Sequence, residues 1–208
     1  TAFKEIGYYI SLSQAERAYN LANKYFMRFR QGALSQKSDS IVSDFHRCVC
    51  QYLDTESAWK DFSNQLKKME RPVWRCFDFT LNMLDELNDM GIKTGLISNW
   101  DLSCRAVLEK NKILSRLNCV VVSEEVGAEK PDKKIFEEAL KLTGANPDEC
   151  FYVGDNYYDD YIGSQKVSMP CAIINYQGKL GIEEVDCPIV IEQACEVVDL
   201  MKKHLISK

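Results

Sequence analysis

The chain has 208 residues, 46% of them apolar and 27% charged, with a net charge of −5. That size allows one large domain or a domain with a smaller companion, and the composition is that of an ordinary globular protein. The negative balance argues against a nucleic-acid phosphate backbone as a partner, and the sequence has neither an apolar run of membrane-spanning length nor a secretory signal pattern at its start. The expectation is a cytoplasmic protein with no membrane partner, either monomer or homodimer.

The first third reads as helical. Ser13 with Glu16 fits a capping box. Behind it, Ala15, Ala18, Tyr19, Ala22, Tyr25, Phe26 and Phe29 follow the rhythm of a buried helical stripe. Further helices are predicted over 40–53 and 56–69, with Asp54 and Thr55 as start signals between them. Arg71-Pro72-Val73-Trp74 breaks the pattern, because proline disfavours helix in the residue before it. A domain boundary is predicted near Phe77, giving a helical domain 1–77 and a second domain 78–208.

Helices and strands then alternate. A helix with Leu81, Leu84 and Leu87 ends at Gly91. A strand is predicted over 92–97, a helix over 102–110 and a short strand over 120–122. A helix from Asp132, with Ile135, Phe136, Ala139 and Leu140 on one side, ends near Gly144. A strand follows over 151–153, then a short helix to Val167. Strands over 171–174 and 189–191 and a helix with Ala194, Val197, Val198 and Met201 complete the chain. This pattern predicts an α/β fold with a doubly wound, mostly parallel, Rossmann-like sheet. In such sheets ligands bind beyond the carboxyl ends of the strands.

Nine cysteines are scattered through the sequence without a CxxC pair, and there are two histidines, His46 and His204. These cysteines read as small apolar core residues in a reducing compartment rather than a zinc site or disulfide framework. Cys48 and Cys50 are two apart on a predicted helix and so point to different sides.

Three strand ends carry the chemistry. Ile97-Ser98-Asn99-Trp100-Asp101 places a hydroxyl and an amide after an apolar strand, where they can bind an anion or simply cap a helix. In Glu125-Val126-Gly127-Ala128-Glu129-Lys130-Pro131-Asp132, Lys130 stands at a helix start and faces either a phosphate or carboxylate, or solvent. Val153-Gly154-Asp155-Asn156-Tyr157-Tyr158-Asp159-Asp160 puts a carboxylate directly after a strand and a glycine. That placement suits magnesium, which takes few protein carboxylates plus phosphate and water; the alternative is a helix cap. Three acids within six residues repel one another unless a cation or base lies among them.

In order and spacing, these segments together resemble the haloacid dehalogenase-like hydrolase superfamily. Leu96-Ile97-Ser98-Asn99 is similar to its second motif. Glu125 to Pro131, with Ile135-Phe136 behind, is similar to its third. Val153-Gly154-Asp155-Asn156 with Asp159-Asp160 and Gly163 is similar to its fourth. The resemblance covers essentially the whole chain, with residues 1–77 in the place of the family's helical cap. It implies that Ser98 and Asn99 bind the transferring phosphoryl group and that Lys130 neutralises charge on it. It implies further that Asp155 binds Mg2+, and that Asp160 acts on the metal indirectly or orients Lys130. Asp155 resembles the phosphatase members; dehalogenase members usually carry serine there.

The family's first motif, an aspartate-x-aspartate that supplies the attacking carboxylate and the general acid and base, has no counterpart in these residues. The family places its strand centrally in the sheet. Without it two strands would bury unpaired backbone groups, at about 1–3 kcal/mol each. The expectation is therefore that these 208 residues belong to a longer chain, with a segment on the order of twenty residues before Thr1, a strand and its turn. The resemblance implies a phosphatase of a small phosphorylated metabolite working through a phosphoaspartyl intermediate. Alternatives are a catalytically silent protein that binds a phosphorylated ligand or a protein partner, and a metal-independent dehalogenase.

Overall fold

The computed structural model describes residues 2–33, 38–69 and 73–206, with side chains up to Lys203. The chain divides into two compact units, Thr1–Val73 with Lys179–Glu184, and Trp74–Gly178 with Val185–Lys208. The predicted break at Arg71-Pro72 lies outside the described residues. Lys179–Glu184, assigned by sequence to the second domain, is part of the first unit.

The first unit contains α1 (Ala2–Glu5), α2 (Leu12–Phe29), α3 (Asp39–Tyr52) and α4 (Trp59–Lys68). The capping box of α2 is formed by Ser11 and Gln14, not by Ser13 and Glu16. The Gln14 amide donates to Ser11 Oγ at 3.2 Å, and the Ser11 amide donates to Gln14 Oε1 at 2.9 Å. Ser11 has the extended backbone (φ −67°, ψ 158°) that turns its hydroxyl back onto the helix, whereas Ser13 is already inside the first turn. The buried stripe of α2 is also narrower than its aromatic content suggests. Ala18, Ala22 and Phe26 are buried, but Tyr19, Tyr25 and Phe29 are exposed. Their rings pack on the flank instead, Tyr19 against Phe45 at 5.2 Å and Tyr25 against Phe29 at 5.0 Å. Cys48 and Cys50 are both buried although they point apart, because α3 packs against α2 on one side and α4 on the other. Lys179–Glu184 lies on α2. Arg28 donates to the Gly181 carbonyl at 3.2 Å and forms an ion pair with Glu184.

In the second unit, α5 (Thr80–Asp89) leads to β1 (Gly95–Ser98), α6 (Cys104–Lys110) and β2 (Cys119–Val122). α7 (Ser123–Val126) and α8 (Lys133–Thr143) follow, then β3 (Tyr152–Gly154), a π-helical turn at Tyr157–Tyr161 and α9 (Ile162–Gln165). β4 (Cys171–Ile174), β5 (Val190–Ile191) and α10 (Val197–Ile206) close the fold. The predicted strand over 92–97 is shorter and shifted, starting only at Gly95. Every strand pairing is parallel, as expected, so the carboxyl ends of paired strands lie on one edge.

The sheet is nevertheless in two pieces, β1–β2 and β3–β4–β5. Among the described residues no backbone ladder joins β1 to β3, the place where the family resemblance puts another strand. Side chains tie the pieces together. Cys119, Val121, Ile135 and Phe136 form a buried cluster on which Ile97 and Tyr152 pack, so α8 covers both. Of the nine cysteines, Cys48, Cys50, Cys104, Cys119, Cys171 and Cys187 are buried, and all nine are unpaired thiols. Among the described residues no helix is long and apolar enough to cross a membrane.

Candidate active site

The loops beyond β1, β2 and β3 meet through one hydrogen-bond network. Asn99, one residue past β1, uses its amide on the backbone of Lys130: Oδ1 accepts from the Lys130 amide at 2.7 Å and Nδ2 donates to the Lys130 carbonyl at 3.0 Å. This clamp fixes the segment before Pro131, and Asp132 then starts α8 by accepting from the Lys134 amide at 2.9 Å. Lys130 is therefore set between a strand-end amide and a helix cap. Its ammonium turns inward and donates to Asp160 Oδ1 at 2.6 Å and to the Tyr152 hydroxyl at 3.2 Å.

Asp160 is buried at 1% exposure and has its charge met on every side. Oδ1 accepts from Lys130 and from the Tyr152 hydroxyl at 3.1 Å, and Oδ2 accepts from the Asn156 amide at 2.9 Å. Burying a carboxylate costs several kcal/mol unless it is paired and hydrogen-bonded in this way. The π-helical turn makes the approach: Ile162 bonds back five residues to Tyr157, and the wide turn delivers Asp160 beneath the end of β3. Glycine at position 154 is required for this approach, because a Cβ there would overlap the Asp160 carboxyl. Gly163 plays the same part for α8, since its Cβ would stand 2.5 Å from the Phe136 ring.

The neighbouring acids differ in their surroundings. Asp159 is half-buried, accepts from Asn156 Nδ2 at 2.7 Å, and has its carboxyl pushed up to about 6. Burial is the main cause, followed by the Asp160 carboxylate; Lys130 opposes the rise, and Glu129 and Asp155 add to it. Asp155 follows β3 directly and is exposed. Burial and then Asp160 also hold the Tyr152 phenol well above its ordinary value, so it stays protonated.

Asp155 and Asp159 are the carboxylates that could hold a metal, since Asp160 is committed to Lys130, Tyr152 and Asn156. Among the described residues there is no group of three His, Cys, Asp or Glu able to hold an ion unaided. The two carboxylates of Asp155 and Asp159 fit magnesium, which accepts one or two carboxylates and completes its shell with water and phosphate oxygens. A cation there would also offset the burial and the neighbouring acids that raise Asp159.

Of the residues singled out in the sequence, Asn99, Lys130 and Asp160 belong to this network directly. Ser98 and Asp155 are each one residue from a member of it. The structure adds two residues that sequence reasoning missed. Asn156 bridges Asp159 and Asp160, and Tyr152 touches Lys130, Asp160 and, at 3.3 Å, the Ile97 carbonyl of β1. Tyr152 was legible only through strand alternation, which puts it on the face of Gly154 and hence of Asp160.

The chain belongs to the haloacid dehalogenase-like hydrolase family, whose model matches residues 3–174. Human haloacid dehalogenase-like hydrolase domain-containing protein 3 is 34% identical over 136 residues, 63% of this chain and 52% of that protein. The glyceraldehyde 3-phosphate phosphatase of Methanothermobacter thermautotrophicus is 34% identical over 107 residues, 49% of this chain and 45% of its own. The chain thus spans about half the length of the curated relatives it matches. YfnB of Bacillus subtilis, whose crystal structure is bound to magnesium, shares the fold with a TM-score of 0.60 at 14% identity, over 98% of this chain and 87% of that one.

Proposed function

We propose that these residues form the phosphate-handling part of a magnesium-dependent phosphohydrolase acting on a small phosphorylated metabolite. The observation that carries this reading is the Lys130–Asp160 pair. The lysine side chain is only 13% exposed and the aspartate 2%, yet the ammonium has three N–H donors and, among the described residues, only two are used. A buried cation with one donor to spare, held through its backbone by the residue after a strand-end serine and paired with a carboxylate, suits a phosphoryl group and its metal.

In this reading Ser98 donates its hydroxyl to a phosphoryl oxygen. Lys130 screens the charge that gathers on the group, and Asn99 holds Lys130 in place through its backbone. Asp155, with Asp159, holds Mg2+, which when bound lowers the electrostatic cost of bringing an anion to the carboxylates. Asp160 keeps Lys130 aimed through the 2.6 Å contact. The family resemblance implies an attacking carboxylate from an aspartate-x-aspartate motif, which residues 1–208 do not contain, and a phosphoaspartate intermediate. The helical unit takes the part of a cap that governs selectivity. A relative's activity on glyceraldehyde 3-phosphate supports a small phosphorylated metabolite as substrate class.

A second reading is a catalytically silent protein that binds a phosphorylated ligand through the same buried Lys130 ammonium. Hydrolysis of an aryl phosphate with magnesium separates the two. Turnover that vanishes with a chelator and in Asp155→Asn supports the phosphohydrolase. Magnesium-dependent phosphate binding without turnover, lost in the same variant, supports the silent reading.

A further inference from the structure

We propose that Tyr152 is a positioning residue that aims the Lys130 ammonium, acting through the lysine and not on the substrate. A lysine ammonium is a point charge on a flexible four-carbon stem, and one carboxylate partner leaves it free to swing about that contact. Here it has a second anchor. The Tyr152 hydroxyl accepts from Nζ at 3.2 Å while its own proton is directed to Asp160 Oδ1 at 3.1 Å or to the Ile97 carbonyl at 3.3 Å. The ammonium also stands 5.8 Å from the centre of the tyrosine ring. Two anchors fix the direction of the third N–H.

The chemical character of the second anchor matters. A second carboxylate would hold the ammonium as firmly but would cancel its charge. A phenol holds it with a neutral oxygen, so the net charge offered to an incoming anion is not reduced further. The ring is itself immobilised, packed edge-on against the fully buried Phe136 at 5.3 Å. Phe136 is on α8, the helix that begins just after Lys130, so lysine and tyrosine are referred to one rigid joint. Tyr152 is also the residue whose side chain spans from β3 to the backbone of β1, which ties the aim of Lys130 to the strand that carries Ser98.

The catalytic consequence rests on the phosphohydrolase reading, but the positioning does not, and the experiment separates them. In Tyr152→Phe the ring remains and only the hydroxyl is lost. The chain is labelled with an amine-reactive acylating reagent at neutral pH, and the rate at each lysine is read by peptide mass mapping. The rate at Lys130 is expected to rise roughly two- to tenfold, the factor one lost hydrogen bond sets, with the exposed Lys133 unchanged. An unchanged Lys130 rate overturns the proposal, as does a rise shared equally by Lys133, which would mark general loosening. Should Tyr152→Phe not fold, the unaltered chain still decides. A nuclear Overhauser contact between the Lys130 ammonium protons and the Tyr152 ring is expected, and its absence overturns the proposal. Where the protein turns over an aryl phosphate, Tyr152→Phe lowers kcat by a similar factor with KM little changed. Where no form turns over, the phosphohydrolase reading fails while the labelling result stands.

Discussion

The helical unit and the strand-end edge of the α/β unit pair opposite charges in different settings. Two pairs of the helical unit are at the surface: Arg30 with Asp44 at 3.1 Å and Arg47 with Glu56 at 2.7 Å, all four side chains roughly half exposed. Its interior is held instead by Phe26, Ala18, Ala22, Cys50 and Phe62, with Phe3 stacked on Phe62 at 4.2 Å. At the strand-end edge the pair is inside, between Lys130 and Asp160, and apolar packing surrounds it without replacing it. Exposed pairs contribute about 0–1 kcal/mol, whereas removing one member of a buried pair costs about 3–5 kcal/mol. The named surface pairs therefore add little to the helical unit beside its apolar packing, whereas the members of the strand-end network depend on one another.

The largest expected effects test that distinction. Phe26→Ala in the helical unit should cost about 3–5 kcal/mol through the cavity it leaves. Asp160→Ala should cost a similar about 3–5 kcal/mol, but because Lys130 is left charged and buried. The two losses differ in how they can be repaired. Adding Lys130→Met to Asp160→Ala removes the stranded charge and should recover more than half the loss, whereas no further truncation recovers Phe26→Ala. Urea unfolding of the three variants measures this. If the double variant is no more stable than Asp160→Ala, the strand-end edge is ordinary packing and the contrast collapses.

A smaller effect separates Asp159 from its neighbour. Its carboxyl is raised to about 6, so between about pH 4 and pH 6 the folded chain keeps a proton that the unfolded chain has released. Stability from this group is present at low pH and is lost as pH rises through that window. Because Asp159 is partly open to solvent, the change is about 1–2 kcal/mol after screening. Asp159→Asn abolishes it. Urea midpoints at pH 4.5 and pH 7, with chelator present, should fall further with pH in the parent chain than in the variant. Equal slopes would show that burial and its acidic neighbours do not raise Asp159, and magnesium at pH 7 should offset part of the parent's loss.

The contrast also explains what the sequence could and could not reveal. Strand-end motifs were legible because each chemical residue directly follows an apolar strand: Ser98 closes β1 and Asp155 follows Gly154. The fourth-motif spacing pointed to Asp160 through Gly163, and the structure gives that glycine a reason in the Phe136 ring. What stayed hidden depends on contacts between distant segments. Asn99 reads as an anion ligand by sequence, but its amide is engaged with Lys130, thirty-one residues away. Lys179–Glu184 reads as part of the second domain, yet Arg28 draws it onto α2. Periodicity also overstated the buried face of α2, because an aromatic ring on a helix flank can satisfy itself against another ring at the surface.

The smallest effect concerns the start of α2, where two serines compete for one role. Ser11 accepts from the Gln14 amide and receives the reciprocal bond from the Gln14 side chain at its own amide. Ser13 lies one residue into the helix, and its hydroxyl is 3.2 Å from that of Ser11. Ser11→Ala removes a cap and should cost about 1 kcal/mol, within the range of about 0.5–2 kcal/mol for such losses. Ser13→Ala replaces a middling helix former with the best one and should be neutral or slightly stabilising. Gln14→Ala removes the two bonds that Gln14 Oε1 accepts, from the Ser11 amide and from Ser11 Oγ at 2.8 Å, but keeps the amide-to-Ser11 cap, and should lie between them. Thermal unfolding of the three variants gives the order. A larger loss in Ser13→Ala than in Ser11→Ala would move the helix start two residues along and restore the capping box to Ser13 and Glu16, as the sequence alone suggests.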